Sequence, residues 1–157
     1  MAPVTALLLS LHVLAAIIGF GPAFVFPFLG VMSGREPAHA HALQRVGELI
    51  STRLIIPVTL TMAVTGALLI GEAHLDLAEN SWLGASIVLY VLAMAALIFQ
   101  VPMQRRLIAL LDPARGGPPP ADQVKPLVSR LRLIGIGLAV GIVVITVLMV
   151  WKPGAGA

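Results

Sequence analysis

The sequence predicts an all-α fold, a four-transmembrane-helix bundle embedded in a lipid bilayer. Of its 157 residues, 59% are hydrophobic and only 11% are charged, whereas a soluble domain is about half apolar and about one quarter charged. Four long apolar runs occupy most of the chain, which leaves little length for a soluble domain. The basic residues flank these runs, which favours a membrane surface over nucleic acid as their partner.

The four runs have the lengths of membrane-spanning helices, since about 20 residues cross the hydrocarbon core. The first run is long enough that it must tilt, bend or protrude, and Pro22 and Pro27 give it places to bend. It lacks a preceding basic stretch and a cleavage site, so we expect a retained helix and not a signal peptide. The predicted helices cover about residues 4–33, 38–72, 82–111 and 121–151 of a single domain, 1–157.

Lysine and arginine are distributed unequally over the connections between the runs. Nine of the ten basic residues lie in the first and third connections or beside them, and the second connection has none. The positive-inside rule therefore predicts that these two connections are cytoplasmic and that both termini lie outside the inner (plasma) membrane. Trp82 and Trp151 would anchor the outer interface. The nine residues are Arg35, Arg45, Arg53, Arg105, Arg106, Arg115, Lys125, Arg130 and Arg132.

His12 is the one ionisable side chain well inside the first apolar run. It would lie roughly 12 Å below the outer boundary at 1.5 Å per residue. Because hydrocarbon cannot hydrate a titratable group, such a residue indicates a functional site. The same helix face continues with small residues, which would admit either a closely packed helix or a flat ligand. These residues are Ala15, Ala16, Gly19 and Ala23.

At a similar depth the other helices are expected to bring Met62, Thr65 and Tyr90 near His12. Three roles are open for His12: a structural hydrogen bond, a proton relay or substrate contact, or a metal ligand. Zinc is disfavoured because the chain has no cysteine and no carboxylate is nearby. Haem needs only one or two axial ligands, and Met62 or Tyr90 could supply the second. Arg53 could bind the haem propionates or belong to the positive-inside flank.

Three segments resemble a known group of proteins. They are Leu11-His12-Val-Leu-Ala-Ala-Ile-Ile-Gly-Phe, the stretch from Arg53 through Pro57 to Gly66, and the ending Val147-Leu-Met-Val-Trp-Lys-Pro153. They are similar to small bacterial membrane proteins, including an uncharacterised four-helix family and, more distantly, the membrane protoporphyrinogen-oxidase-like proteins. The resemblance implies haem b bound through His12. The third run has no histidine and the fourth lacks an Asn-Glu-x-Pro-like segment, which argues against porphyrinogen oxidation.

We therefore predict a haem b protein for electron transfer or for haem and porphyrin handling, and leave open whether it is a membrane oxidoreductase. Its partners would be the lipid bilayer and a second copy or a membrane redox partner. The alternatives are a small-molecule binding or transport module, or a structural subunit of a membrane complex, without haem. Proton-coupled export is disfavoured, because all seven carboxylates lie in connections or at helix ends. The predicted cofactor-binding residues are His12 (the metal ligand), Ala16, Gly19, Arg53, Met62, Thr65 and Tyr90.

Overall fold

The computed structural model describes residues 3–77 and 79–154, and over these residues it contains helices and no strand. Four helices are long and apolar enough to cross a membrane, with mean hydropathies of 2.1 to 2.9 over their most apolar windows. This confirms the predicted fold class. The observed bounds lie within two residues of the predicted ones. The helices are α1 (Pro3–Arg35), α2 (Pro37–Glu72), α3 (Ser81–Leu110) and α4 (Ala121–Trp151).

Helix α1 is interrupted where its prolines lie. An α-helix over Pro3–Phe20 is followed by a 3₁₀ turn over Gly21–Phe24, and a second α-helix covers Phe26–Arg35. Pro22 and Pro27 have no backbone N–H and cannot bond the carbonyls four residues earlier. The chain instead makes the tighter bond from the Val25 amide to the Pro22 carbonyl, 2.9 Å long. The break predicted from these prolines is present.

Helix α2 changes its winding before it reaches its most apolar part. It begins with a 3₁₀ turn over Pro37–His39 and an α-helix over Ala40–Ile50. A π-helical turn over Ser51–Ile55 then precedes the long α-helical segment Ile56–Glu72. Pro57 removes one backbone donor immediately after the π turn, which explains why the regular hydrogen-bond ladder is interrupted there.

The four helices form two hairpins, and the contacts between these hairpins lie mainly at one end of the bundle. Helix α1 packs on Ile56–Glu72 of α2, and α3 packs on α4. The hairpins meet mainly at one end, where Ala40–Ile50 packs on α3 and Phe26–Arg35 contacts α4. We call this the basic end, because the first and third connections lie there. The opposite end, where α1 begins and α4 ends, is called the terminal end. Near the terminal end α2 and α3 have few contacts.

The basic end has its own small core. Leu107 is 1% exposed and packs with Leu110 and Leu127 across α3 and α4. Arg105 Nε lies 2.8 Å from Glu48 Oε1 and joins α3 to α2. The cluster stabilises the α3–α4 hairpin at this end, and the ion pair joins that hairpin to α2.

Among the glycines of α1, Gly19 is the one that α2 approaches closely. A Cβ atom at this position would lie 2.9 Å from Thr59 Cγ2, so no side chain fits without displacing α2. The stripe of small residues on α1 therefore admits a neighbouring helix. Two pairs of glycines at a spacing of four residues have open space around them instead: among the described residues, a Cβ atom added at any of the four would meet nothing within 4 Å. They are Gly30 with Gly34 and Gly137 with Gly141.

Gly19→Ala is expected to destabilise the bundle, and Gly30→Ala is the matched control. Both replacements gain helix propensity, worth about 1 kcal/mol, but only the Gly19 variant overpacks a contact, which costs about 1–3 kcal/mol. Thermal unfolding in detergent should give a lower Tm for Gly19→Ala than for Gly30→Ala. Equal Tm values would show that the α1–α2 approach is looser than described.

Candidate functional site

The candidate site is the contact between His12 on α1 and one turn of α2. His12 is half-buried, and its Nδ1 lies 3.0 Å from the Met62 carbonyl oxygen. The same nitrogen lies 3.1 Å from Thr65 Oγ1. The Thr65 hydroxyl also bonds within its own helix, to the carbonyls of Thr61 at 3.0 Å and Met62 at 3.1 Å. The imidazole is thus anchored to α2 by one edge.

This anchoring determines which ring nitrogen of His12 is available. A carbonyl oxygen only accepts hydrogen bonds, so Nδ1 must carry the hydrogen that is donated to Met62. In the neutral ring Nε2 then keeps its lone pair. Among the residues that the structure describes, Nε2 has no hydrogen-bond partner. A histidine that donates from Nδ1 to a carbonyl and leaves Nε2 unprotonated has the arrangement of a metal-ligating imidazole.

Gly66 makes room for this ring. A Cβ atom at Gly66 would lie 3.1 Å from His12 Cε1 and 3.5 Å from its Nδ1. A side chain at this position would require the imidazole to shift by at least a few tenths of an ångström. Gly66 is therefore part of the site, one turn along α2 from Met62.

Tyr90 is held at a different level of α2. Its hydroxyl donates to the Thr59 carbonyl at 2.7 Å, and the Thr59 hydroxyl lies 3.9 Å from Met94 Sδ. Thr59 precedes Thr65 by six residues, which is roughly 9 Å along a helix at 1.5 Å per residue. The phenol is thus tied to α2 below the His12 contact, and its one hydrogen is already used.

The remaining predicted residues divide into two groups. Gly19 is buried and Ala16 half-buried in the α1–α2 contact, so the strip beside His12 is filled by α2. Arg53 is exposed and lies in the π turn, nine residues before Met62, or roughly 13 Å along a helix. The structure brings His12, Met62 and Thr65 together, and it leaves Arg53 apart from them.

The other histidines lie at the ends of the bundle. His39 Nδ1 is 3.2 Å from Glu36 Oε2 at the basic end, and His41 follows it at the start of α2. His74 is exposed beyond the end of α2. Within the described ranges no three His, Cys, Asp or Glu side chains are grouped so that they could hold a metal ion. A multi-ligand metal centre is thus not formed by these residues.

Sequence reasoning missed two residues of this region. Thr59 is 3% exposed, and its carbonyl accepts the hydrogen bond of the Tyr90 hydroxyl. Thr61 is exposed, and its hydroxyl bonds only the Pro57 carbonyl at 3.1 Å. The sequence shows Gly66 only as a small residue near Met62 and does not indicate its contact with the His12 ring. The signal that separates Thr59 from Thr61 is the spacing of the buried face of α2, which runs Ile55, Thr59, Met62 and Thr65.

The donor set at His12 fits a cofactor that needs one strong ligand from the protein. Haem takes a single histidine nitrogen as an axial ligand and is otherwise held by apolar contacts. Nε2 of His12 is such a nitrogen, and the bond from Nδ1 to the Met62 carbonyl fixes its tautomer. The Met62 side chain is 5% exposed and the Tyr90 hydroxyl is bonded elsewhere. His12 could therefore supply one ligand to a haem iron. The two candidates for a second ligand are both engaged, since the Met62 side chain is buried and the Tyr90 hydroxyl is hydrogen-bonded.

The fold and the apolar character of its helices define the class: an integral membrane protein with four membrane-spanning helices. Residues 6–153 match the family described as "Predicted integral membrane protein (DUF2269)", and the chain belongs to this family. The match supports the membrane family that the sequence resembles and shows no link to the protoporphyrinogen-oxidase-like proteins. No curated protein and no solved structure matches the chain.

A double-mutant cycle measures the His12–Thr65 contact. We expect His12→Ala and Thr65→Val to be coupled by about 0.6 kcal/mol in detergent unfolding, the average for polar contacts between membrane helices. His12→Ala with Thr61→Val is the control pair, since Thr61 bonds only its own helix, and it should be additive within about 0.3–0.5 kcal/mol. Additivity in both pairs would contradict a contribution of this contact to stability.

Proposed function

We propose that this protein binds haem b through Nε2 of His12 and takes part in electron transfer or in haem handling at the membrane. The single observation that carries the proposal is the His12 Nδ1–Met62 carbonyl bond of 3.0 Å. This bond fixes the tautomer and leaves Nε2 without a partner among the described residues. The three sequence segments that resemble small bacterial membrane proteins also imply haem b bound through His12, which supports the proposal.

Each residue of the site has a distinct task in this proposal. His12 would ligate the haem iron, Met62 orients the imidazole through its carbonyl, and Thr65 contacts the same ring nitrogen. Gly66 keeps the space that the ring occupies. Haem, when bound, would supply one-electron redox chemistry, and the protein would supply ligation, burial and access.

The apolar surroundings suit a cofactor of this kind. The two hairpins have few contacts near the terminal end, between Ile56–Glu72 of α2 and α3. Residues that line helix surfaces there are apolar and exposed, including Leu11 at 45% and Val88 at 58%. Exposed apolar surface on a membrane protein faces lipid or an apolar ligand, and a porphyrin ring is such a ligand.

We also propose that the protein lies in the inner (plasma) membrane, with both termini outside and the basic end in the cytoplasm. The unequal distribution of lysine and arginine supports it. In that orientation His12 lies in the outer half of the bilayer, and a redox partner would reach the cofactor from the outer side.

The test is the visible absorption spectrum of the detergent-purified protein, oxidised and dithionite-reduced. We expect a Soret band and reducible α and β bands that are lost in His12→Ala, because the axial nitrogen is removed. His74→Ala is the matched control, since it removes an exposed histidine at the same end of the bundle, and it should leave the spectrum unchanged.

A second variant separates ligation from folding. Gly66→Ala keeps His12 but displaces its ring from the Met62 carbonyl, so we expect a weakened and shifted Soret band in a folded protein. A protein that stays colourless when haem is supplied, with a folded circular dichroism spectrum, would overturn the haem proposal. The His12 contact would then serve helix packing alone, and a binding or structural role without haem would replace this one.

A further inference from the structure

A cavity opens at the basic end between α3 and α4, away from His12. Its volume is about 240 Å³, and its lining combines two arginines, one carboxylate and an apolar floor. Leu127 forms the floor and belongs to the buried cluster with Leu107. The lining residues are Arg106, Asp122, Gln123, Pro126, Leu127 and Arg130. No residue of the haem proposal lines this cavity.

The charges of this cavity are not neutralised by one another. Among the residues that the structure describes, neither arginine of the cavity belongs to an ion pair, and neither does Asp122. Two guanidinium groups and one carboxylate give the lining a formal charge of +1. An arginine without a carboxylate partner at a cavity mouth is available to a phosphate, which it binds with two parallel N–H donors.

The cavity lies at the height of lipid headgroups. Arg130 comes one turn before the apolar stretch of α4 that begins at Leu133, and Arg106 comes one turn after the apolar stretch of α3. On the membrane side, exposed apolar residues continue along both helices, with Phe99 at 71% and Leu133 at 67% exposed. A molecule with its phosphate between the arginines could therefore lay acyl chains along α3 and α4.

The Asp122 carboxylate restricts which phosphate-containing headgroups fit this cavity. Asp122 repels a bare phosphate monoester but accepts hydrogen bonds from a hydroxyl or ammonium group. Phosphatidylglycerol has a phosphodiester with one negative charge and a glycerol with two hydroxyls. Choline carries no N–H or O–H donor. The lining thus matches a phosphodiester headgroup that ends in a hydrogen-bond donor.

We propose that the cavity between α3 and α4 is a specific site for an anionic phosphoglycerol lipid, with Arg106 and Arg130 on its phosphate and Asp122 on its glycerol hydroxyls. Basic cavities between membrane helices on the cytoplasmic side are suited to such headgroups. The site is independent of haem binding. It would fix the tilt of the second hairpin by attaching its polar end to the membrane surface.

Native mass spectrometry of the full chain, in neutral detergent with equal phosphatidylglycerol and phosphatidylcholine of matched acyl chains, tests this proposal. We expect one retained phosphatidylglycerol, and about tenfold less retention in the double variant Arg106→Gln/Arg130→Gln, since two charged hydrogen-bonding groups are lost. Lys125→Gln/Arg132→Gln is the matched control: it also removes two positive charges, from positions on α4 that do not line the cavity, and it should retain the lipid as wild type does.

Two outcomes of this experiment would contradict the lipid proposal. Equal loss in Lys125→Gln/Arg132→Gln would overturn the site and leave a diffuse basic surface. Displacement of the lipid by inorganic phosphate or glycerol 1-phosphate at equal concentration would overturn the lipid as the ligand and assign the cavity to soluble phosphate esters. If the double glutamine variant does not fold, Arg106→Lys/Arg130→Lys decides, because lysine keeps charge without the paired donors. It should retain less phosphatidylglycerol than wild type, and full retention would contradict the proposed geometry.

Discussion

The close approach of α1 to α2 is the contact on which the candidate site depends. Gly19 brings the two backbones together against Thr59, and seven residues earlier α1 presents His12 to the carbonyl of Met62. Without the small residue, α1 would stand further from α2 and the imidazole could not reach a backbone acceptor. In hydrocarbon an unbonded polar group costs several kcal/mol, so this spacing decides whether a histidine is tolerated there at all.

The same constraint explains the other polar groups of the membrane segments. Most hydroxyls bond the carbonyl four residues earlier, which satisfies them without linking helices. Three side chains differ, because His12, Tyr90 and Gln104 bond backbone carbonyls of α2 from other helices. These three contacts, and the ion pair of Arg105 with Glu48, carry most of the polar linkage around α2. The hydroxyls bonded within their own helix include those of Ser10, Ser51, Thr61, Ser86 and Thr146.

The two proposals assign separate ends of the molecule to separate tasks. The His12 site lies towards the terminal end, where the hairpins are loosely joined, and the proposed haem would bind there. The cavity of Arg106 and Arg130 lies at the basic end, beside the tightly packed Leu107 cluster. A rigid, lipid-attached end and a more open end would let the hairpins separate around a ligand while the bundle keeps its place in the bilayer.

The sequence by itself determined the membrane class, the four helices and the isolation of His12 within an apolar run, because these are local properties of the chain. It also indicated the break at Pro22, since proline acts on its own helix. Only the tertiary structure decided which faces meet. It placed Thr59 and not Thr61 in the interior, and it separated Arg53 from His12. The physical reason is that helix rotation and depth follow from packing between helices, which residue spacing within one helix does not contain.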